Sequence, residues 1–350
     1  MLDKLEPIRG RRVLVTGGLG FCGWNLTRFL AEELECQVRV LDDCSNAALP
    51  SEPVSNVDVV VGDVRDERVF APLVREAPWI FHLACRTIVT GGSDPEADLT
   101  VNAMSTLRLL EFLRRERPRG FERFLYTSST SIYGNCRHLP ADELDPPNIL
   151  NHYAATKLLG EEYTLLYHTA YDLPTVAVRY SNAYGPGQTT RNPHCAVIGK
   201  FLDAGLDGTK LSVHGDGEQT RDYTYISDVI SATLLAAVSP KALGDVFNIG
   251  TGVETSVNTL AAEVNRLFGN TLTVEHIDRR DVDNIRRRAI NPEKIRVRLG
   301  WAPQVLLRDG LRRTLDAVRA EREAANGGRP GGRAQPAEQA EPVETAPGGR

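Results

Sequence analysis

Apolar positions in the first half of the chain follow two rhythms that alternate. Short unbroken runs in "RRVLVTGG", "CQVRVLDD", "VDVVVGDV" and "APWIFHLAC" read as buried strands, and "FERFLYTSS" and "PTVAVRYSNAYG" continue the series. Between them, "FCGWNLTRFLAEEL", "TVNAMSTLRLLEFLRRE" and "YAATKLLGEEYTLLYHTAY" place apolar residues at helical spacing. Strands alternating with helices predict an α/β fold around a doubly wound parallel sheet, because parallel neighbours need a crossover helix between them. After about Gly185 the alternation loosens into loops and isolated helices, yet "DYTYISDVISATLLAAV" and "DVFNIG" have the apolar length to return to that sheet. The expected organisation is an arm over 1–10, a sheet domain over 11–183 and 222–250, and a smaller, discontinuous α/β substrate-binding domain over 184–221 and 251–323. The remainder, 324–350, is rich in Gly, Pro, Ala and Glu with almost nothing to bury, and is expected to be disordered.

Composition narrows the class of partner. The chain has 350 residues, of which 41% are hydrophobic and 25% charged, enough for a large core. Its formal net charge of -5 mixes both signs, which excludes the one-sided basic footprint of a nucleic-acid binder. No apolar run approaches the roughly 20 residues that cross a bilayer, and "MLDKLEPIRGRR" lacks the hydrophobic segment of a secretory signal. A cytoplasmic protein without a membrane partner is expected. Six cysteines, Cys22, Cys36, Cys44, Cys85, Cys136 and Cys195, are scattered without CxxC pairing, which fits reduced thiols better than disulfides or a metal site.

Two stretches carry chemistry. In "VTGGLGFCG", Gly17, Gly20 and Gly23 stand at G-x-x-G-x-x-G spacing between a strand and a helix. Glycine there permits a tight turn and lets a pyrophosphate approach the backbone at a helix N-terminus. Asp42 comes at the end of the second strand, about 20 residues on, where a carboxylate accepts hydrogen bonds from an adenosine ribose and repels a 2'-phosphate. NAD is therefore expected rather than NADP, with Asp63 at the next strand end within reach of the adenine. In "YAATK", Tyr153 and Lys157 lie four residues apart on one helix face. A phenol is a poor base at its ordinary pKa of about 10. An adjacent ammonium, together with the charge of an oxidised nicotinamide, is expected to bring it toward neutrality so that it can take a proton from a substrate hydroxyl.

Taken in order, "TGGLGFCG", "LDDCSN", "GDVRD", "HLAC", "SSTSIYG", "YAATK", "RYSNAYGPG" and "GDGEQTRDYTYISD" resemble the extended short-chain dehydrogenase/reductase family, in its nucleotide-sugar epimerase and dehydratase branch. The resemblance runs from about Arg11 to Arg319. It implies a Rossmann-type sheet, a tightly bound NAD, and a carboxy-terminal domain that closes over a nucleoside diphosphate sugar. Counting back from Tyr133 and Gly134, it gives Ser129 the position of the family's catalytic Ser or Thr, beside Tyr153 and Lys157. It assigns Gly17, Gly20, Phe21, Gly23, Asp42, Asp43, Asn46, Asp63, Val64, Leu83, Ala84, Asn102, Tyr153, Lys157 and Tyr180 to the cofactor. Ser129, Thr130, Asn182, Arg221 and Arg279 fall to the substrate. Arg221 serves the diphosphate, a role that suits the paired donors of a guanidinium. Arg86, Thr87 and His194 are further pocket candidates. The chain departs from the family pattern in three places: His152 replaces the usual proline before the tyrosine, Trp24 comes after the last glycine, and "DRRDVDNIRRR" varies the family's R-x-G-D, leaving the Arg286 to Arg288 run open as a binding patch or a solvated face.

The residues after Ser129 decide the reaction. Family dehydratases carry Asp and Glu there, as proton carriers, and the decarboxylase branch keeps a Glu nearby, whereas this chain has Thr130, Ser131 and Ile132. Without that acid, reversible oxidation of an alcohol is the chemistry left, which favours a 4-epimerase. A 4,6-dehydratase or uronic acid decarboxylase drawing an acid from elsewhere stays open, as does a non-catalytic module that senses NAD. The apolar residues of the two long helices also exceed what one face against the sheet needs; in the family such helices pair across a twofold axis, so a homodimer is expected.

Overall fold

The computed structural model describes residues 2–47, 53–87, 94–188, 197–279 and 285–327. Six strands form in the first half: β1 (Arg12–Thr16), β2 (Gln37–Asp42), β3 (Val57–Val61), β4 (Trp79–His82), β5 (Arg123–Ser129) and β6 (Thr175–Tyr180). Seven short strands complete the set: β7 (Asn182–Tyr184), β8 (Leu211–His214), β9 (Thr220–Arg221), β10 (Tyr223–Tyr225), β11 (Val246–Ile249), β12 (Thr255–Ser256) and β13 (Val274–Ile277). The central sheet has seven strands in the order β11-β6-β5-β4-β1-β2-β3, with every neighbouring pair parallel. The order reverses beside β1, and in such a sheet a ligand crevice opens outside the carboxyl ends of the strands at the reversal.

Helices cover both faces. Leu26 and Leu30 of the helix Phe21–Glu32 and Val229, Ile230 and Leu234 of the helix Ile226–Val238 pack on one side, and Leu5 and Ile8 of the amino-terminal arm are buried with them. On the other side Phe70, Leu109, Phe112 and Tyr167 of the helices Glu67–Glu76, Ser105–Glu116 and His152–Tyr171 form a second cluster with Tyr126 of β5, and Phe70 and Phe112 meet edge to face at 5.6 Å. Each such aromatic contributes roughly 1.5–3 kcal/mol by leaving water. The strand β11 returns the chain to the sheet edge beside β6, as its apolar sequence requires. The later segments pair only locally, β7 with β10, β9 with β12 and β8 with β13.

Three expectations change in detail. "PTVAVRYSNAYG" is two strands: Ser181 N–H still donates to Ile249 O of β11 at 3.0 Å, but Asn182 N–H donates to Asp222 O at 3.0 Å, so β7 leaves the large sheet for β10. The stretch expected as one helix from Thr100 opens with a π-helical turn, Leu99–Met104, before the regular helix Ser105–Glu116. The last helix runs over Leu307–Gly327, past the expected start of the tail, and the rest of the tail lies outside the described residues, as do His194 and Cys195.

Candidate active site

A cleft of about 1530 Å³ runs along the carboxyl ends of the strands. At its centre the turn after β1 is forced to be glycine. Gly17 has φ +69°, and a Cβ there would stand 2.6 Å from Ala84 N; a Cβ on Gly23 would stand 2.1 Å from Gly17 O. The first turn of the helix Phe21–Glu32 is thereby brought against the strand ends, and Gly20 at its N-cap offers no side chain to the free N–H groups. That is a cradle shaped for a pyrophosphate. Asp42 is fixed at the end of β2 with Oδ2 accepting from Leu19 N at 3.0 Å and Oδ1 from Cys44 N at 2.9 Å. Asp63 also lines the cleft, but the Arg65 guanidinium grips both its oxygens at 2.5–2.9 Å and holds its carboxyl below the usual range. These residues fit the adenosine and pyrophosphate of a dinucleotide.

The chemical end lies toward β5 and β6. Asn151 caps the helix His152–Tyr171 by accepting from Ala154 N at 2.8 Å, which sets Tyr153 in its first turn and Lys157 one turn on. Asn102, in the π-turn, does not line the cleft. Its Oδ1 accepts from Arg86 N at 2.7 Å and its Nδ2 donates to Arg86 O at 3.2 Å and Thr156 Oγ1 at 3.0 Å, so it staples the loop after β4 to the tyrosine's helix. Beneath them His82 is buried between Thr16 Oγ1 (2.6 Å) and Thr106 Oγ1 (3.0 Å), and burial drives its pKa down to about 3. The loop of hydroxyls is anchored from below: Arg179, paired with buried Glu161 at 2.6 Å, donates to Tyr133 OH at 2.6 Å, and Tyr133 donates to Asn248 Oδ1 at 2.8 Å.

Ser129 ends β5 within hydrogen-bonding reach of Tyr153. Its Oγ accepts from Ser131 Oγ at 2.7 Å and from Ser131 N at 3.2 Å, which leaves its own proton for the tyrosine oxygen. Burial holds the Tyr153 phenol above its ordinary range, and Cys85 adds to this; the larger opposing pulls are the Ser129 hydrogen bond and the charge of Arg288. The expected pull of Lys157 and an oxidised nicotinamide toward neutrality would have to act against this burial. Lys157 is itself buried, its pKa lowered, with Nζ 4.4 Å over the Tyr126 ring.

Among the residues expected at the cofactor, all but Asn102 line the cleft, and Ser129, Arg86 and Thr87 line it too. Thr130 is buried under the loop, and Asn182, Arg221 and Arg279 stand outside these walls. Arg221, on β9, gives Nη1 to Thr220 O at 2.8 Å and Ile285 O at 2.9 Å. Arg279 is exposed beside Gly215. The arginine run divides: Arg286 pairs with Asp216 and Arg287 with Glu254 at the surface, while Arg288 is buried. Sequence reasoning missed Cys22, Cys85, Trp24, Ser128 and Gln188 as wall residues. Cys22, whose thiol burial pushes up to about 12, holds a position in the glycine motif that spacing alone leaves unread. Among the described residues no group of three metal-ligating side chains occurs, and the described cysteines are free thiols.

Comparison with known proteins places this geometry. Residues 13–250 match the model of the NAD dependent epimerase/dehydratase family. The chain is 36% identical over 318 residues to a UDP-glucose 4-epimerase of Mycolicibacterium smegmatis, covering 88% of this chain and 98% of that one. It is 32% identical over 328 residues to the dTDP-D-glucose 4,6-dehydratase of Bos taurus, covering 88% and 89%. A solved epimerase structure from Methanothermobacter thermautotrophicus superposes with a TM-score of 0.83 at 34% identity, covering 93% of this chain and 97% of that one. With the glycine cradle, Asp42 and the Tyr153/Lys157 helix assembled on one sheet, the chain belongs to the NAD-dependent epimerase/dehydratase family of nucleotide-sugar enzymes, and NAD is its cofactor.

Proposed function

We propose that the protein interconverts C4 epimers of a nucleoside diphosphate sugar through a transient 4-keto sugar. The observation that carries this reading is Ser131, which stands where a dehydratase would be expected to hold an acid and instead donates to the Ser129 hydroxyl at 2.7 Å. Of the described carboxylates that line the cleft, Asp42, Asp43 and Asp63 belong to the β2 and β3 ends, and Asp94 caps the helix Pro95–Asp98 through Ala97 N at 3.0 Å. None of the four sits on the β5 loop, so removal of water from the sugar lacks a proton carrier beside Tyr153.

Bound NAD supplies reversible exchange of hydride at carbon. The protein supplies the proton path and the orientation. Tyr153 takes the proton of the C4 hydroxyl, Ser129 donates to the oxygen as charge develops there, and Lys157 holds a positive charge on the same helix face. The same three groups return the proton after the sugar has turned over. Asn182, Arg221 and Arg279 are proposed to hold the nucleotide diphosphate, which tethers the sugar while its ring presents its other face.

Proton NMR of the protein with candidate sugar nucleotides tests the reading. A C4 epimer should accumulate to equilibrium; a stable 4-keto-6-deoxy sugar as the sole product rejects it. The protein is further proposed to work as a homodimer through the helices at 99–116 and 152–171, where Leu99, Leu159 and Leu166 are 42%, 37% and 51% exposed. Light scattering at micromolar concentration should give twice the chain mass, and a monomer there refutes this.

A further inference from the structure

Gln188 is buried, 9% exposed, on the wall of the cleft, and its Oε1 has no hydrogen-bond partner among the described residues. Leaving such an oxygen dry is costly, so a buried orphan of this kind marks a place for a ligand donor. The amide's direction is set by its other end: Nε2 donates to Ala183 O at 3.3 Å, and reversing it would put two acceptors face to face. The loop that carries it is also fixed. Asn25 Nδ2 donates to Phe21 O at 2.9 Å and to Pro186 O at 3.2 Å, pinning residues 185–188 to the first turn of the helix Phe21–Glu32.

The position selects the ligand. Asp42 and the glycine turn set the adenosine and pyrophosphate over β2 and β1, so the other half of the dinucleotide extends over β4 to β6. Tyr180, Ser181 and Ala183 line that side, next to Gln188. A ribose hydroxyl both donates and accepts, and Tyr153 and Lys157 can serve it. A primary amide's N–H only donates, and Gln188 Oε1 only accepts.

We propose that Gln188 Oε1 accepts the carboxamide N–H of the nicotinamide and so fixes the half of NAD that reacts. This rests on the dinucleotide running from β2 toward β6. Stripped protein is titrated with NAD, with thionicotinamide adenine dinucleotide, which keeps the NH₂, and with 3-acetylpyridine adenine dinucleotide, which lacks it, and binding is monitored by tryptophan fluorescence. Wild type should bind the first two alike and the third about tenfold more weakly. In Gln188→Met the preference should vanish, with NAD weakened to the level of the acetylpyridine analogue; in Gln188→Glu, which keeps an acceptor, it should persist. Equal binding of NAD and the acetylpyridine analogue by wild type overturns the proposal without any variant. An unchanged preference in Gln188→Met overturns it as well, as does a variant whose defect is confined to the sugar nucleotide. Wild type that binds none of the three would instead bring down the dinucleotide assignment itself.

Discussion

The two halves of the cleft are built in different ways. The dinucleotide half uses the ends of β1 to β4 and one helix N-terminus, all within residues 12–87, and its key atoms are held by backbone N–H groups. The reacting half gathers Ser129, Tyr153 and Gln188, with Arg288 acting on the tyrosine from a distant segment, and draws its groups from elements far apart in the chain. Local geometry makes the first half rigid and sequence-coded. The second depends on how remote parts of the chain meet.

That contrast can be tested by damage to each half. The largest effect is expected from Tyr153→Phe, which removes the proton carrier: turnover should fall about a hundred- to ten-thousand-fold while NAD remains bound. Loss of bound NAD together with turnover would show that the halves are not separable at this residue. Next is Gly23→Ala, where the new methyl meets Gly17 O and Gly18 Cα, both backbone. A cost of about 1–3 kcal/mol is expected, with loss of dinucleotide uptake, read by urea denaturation and by absorbance of the purified protein. A variant as stable and as well loaded as wild type contradicts the cradle.

His82 gives a smaller, pH-dependent effect under the dinucleotide half. Its pKa is about 3 in the fold and 6.5 when free, so the neutral ring favours the fold. This stability is fully present above pH 6.5 and is lost as pH falls through the window from 6.5 toward 3, by about 2 kcal/mol at pH 5. Urea denaturation at pH 7.5 and 5 should show the slope, and His82→Gln should flatten it; a slope unchanged in the variant places the acid sensitivity elsewhere. The smallest effect is expected from Arg287→Ala, which breaks only a surface pair with Glu254. Activity and melting temperature should stay at the wild-type level, and a rise in KM would bring the arginine run back as a binding patch.

Legibility in the sequence divides along the same line. The strands, Gly17, Gly20, Gly23 and Asp42 can be read because turn chemistry and strand ends impose fixed spacings on neighbouring residues. Tyr153 and Lys157 share a face by helix geometry alone, but the balance of charge on the phenol cannot be read, since Cys85 and Arg288 reach it from 68 residues before and 135 residues after in the chain. The three arginines 286–288 look alike in sequence and meet three different fates, because each faces a different element. Asn102, expected at the cofactor, staples the loop after β4 to the helix of Tyr153, a contact that only the fold reveals.

The π-turn at Leu99–Met104 packs one residue more into its coil than a regular helix would. Excising a single codon there would let the coil tighten, with the slack taken up toward Pro95, while Ser105–Glu116 kept its seat on the sheet. Asn102 would swing off its two partners. The gene thus holds a spot where a three-base deletion should uncouple a sound fold from a working enzyme.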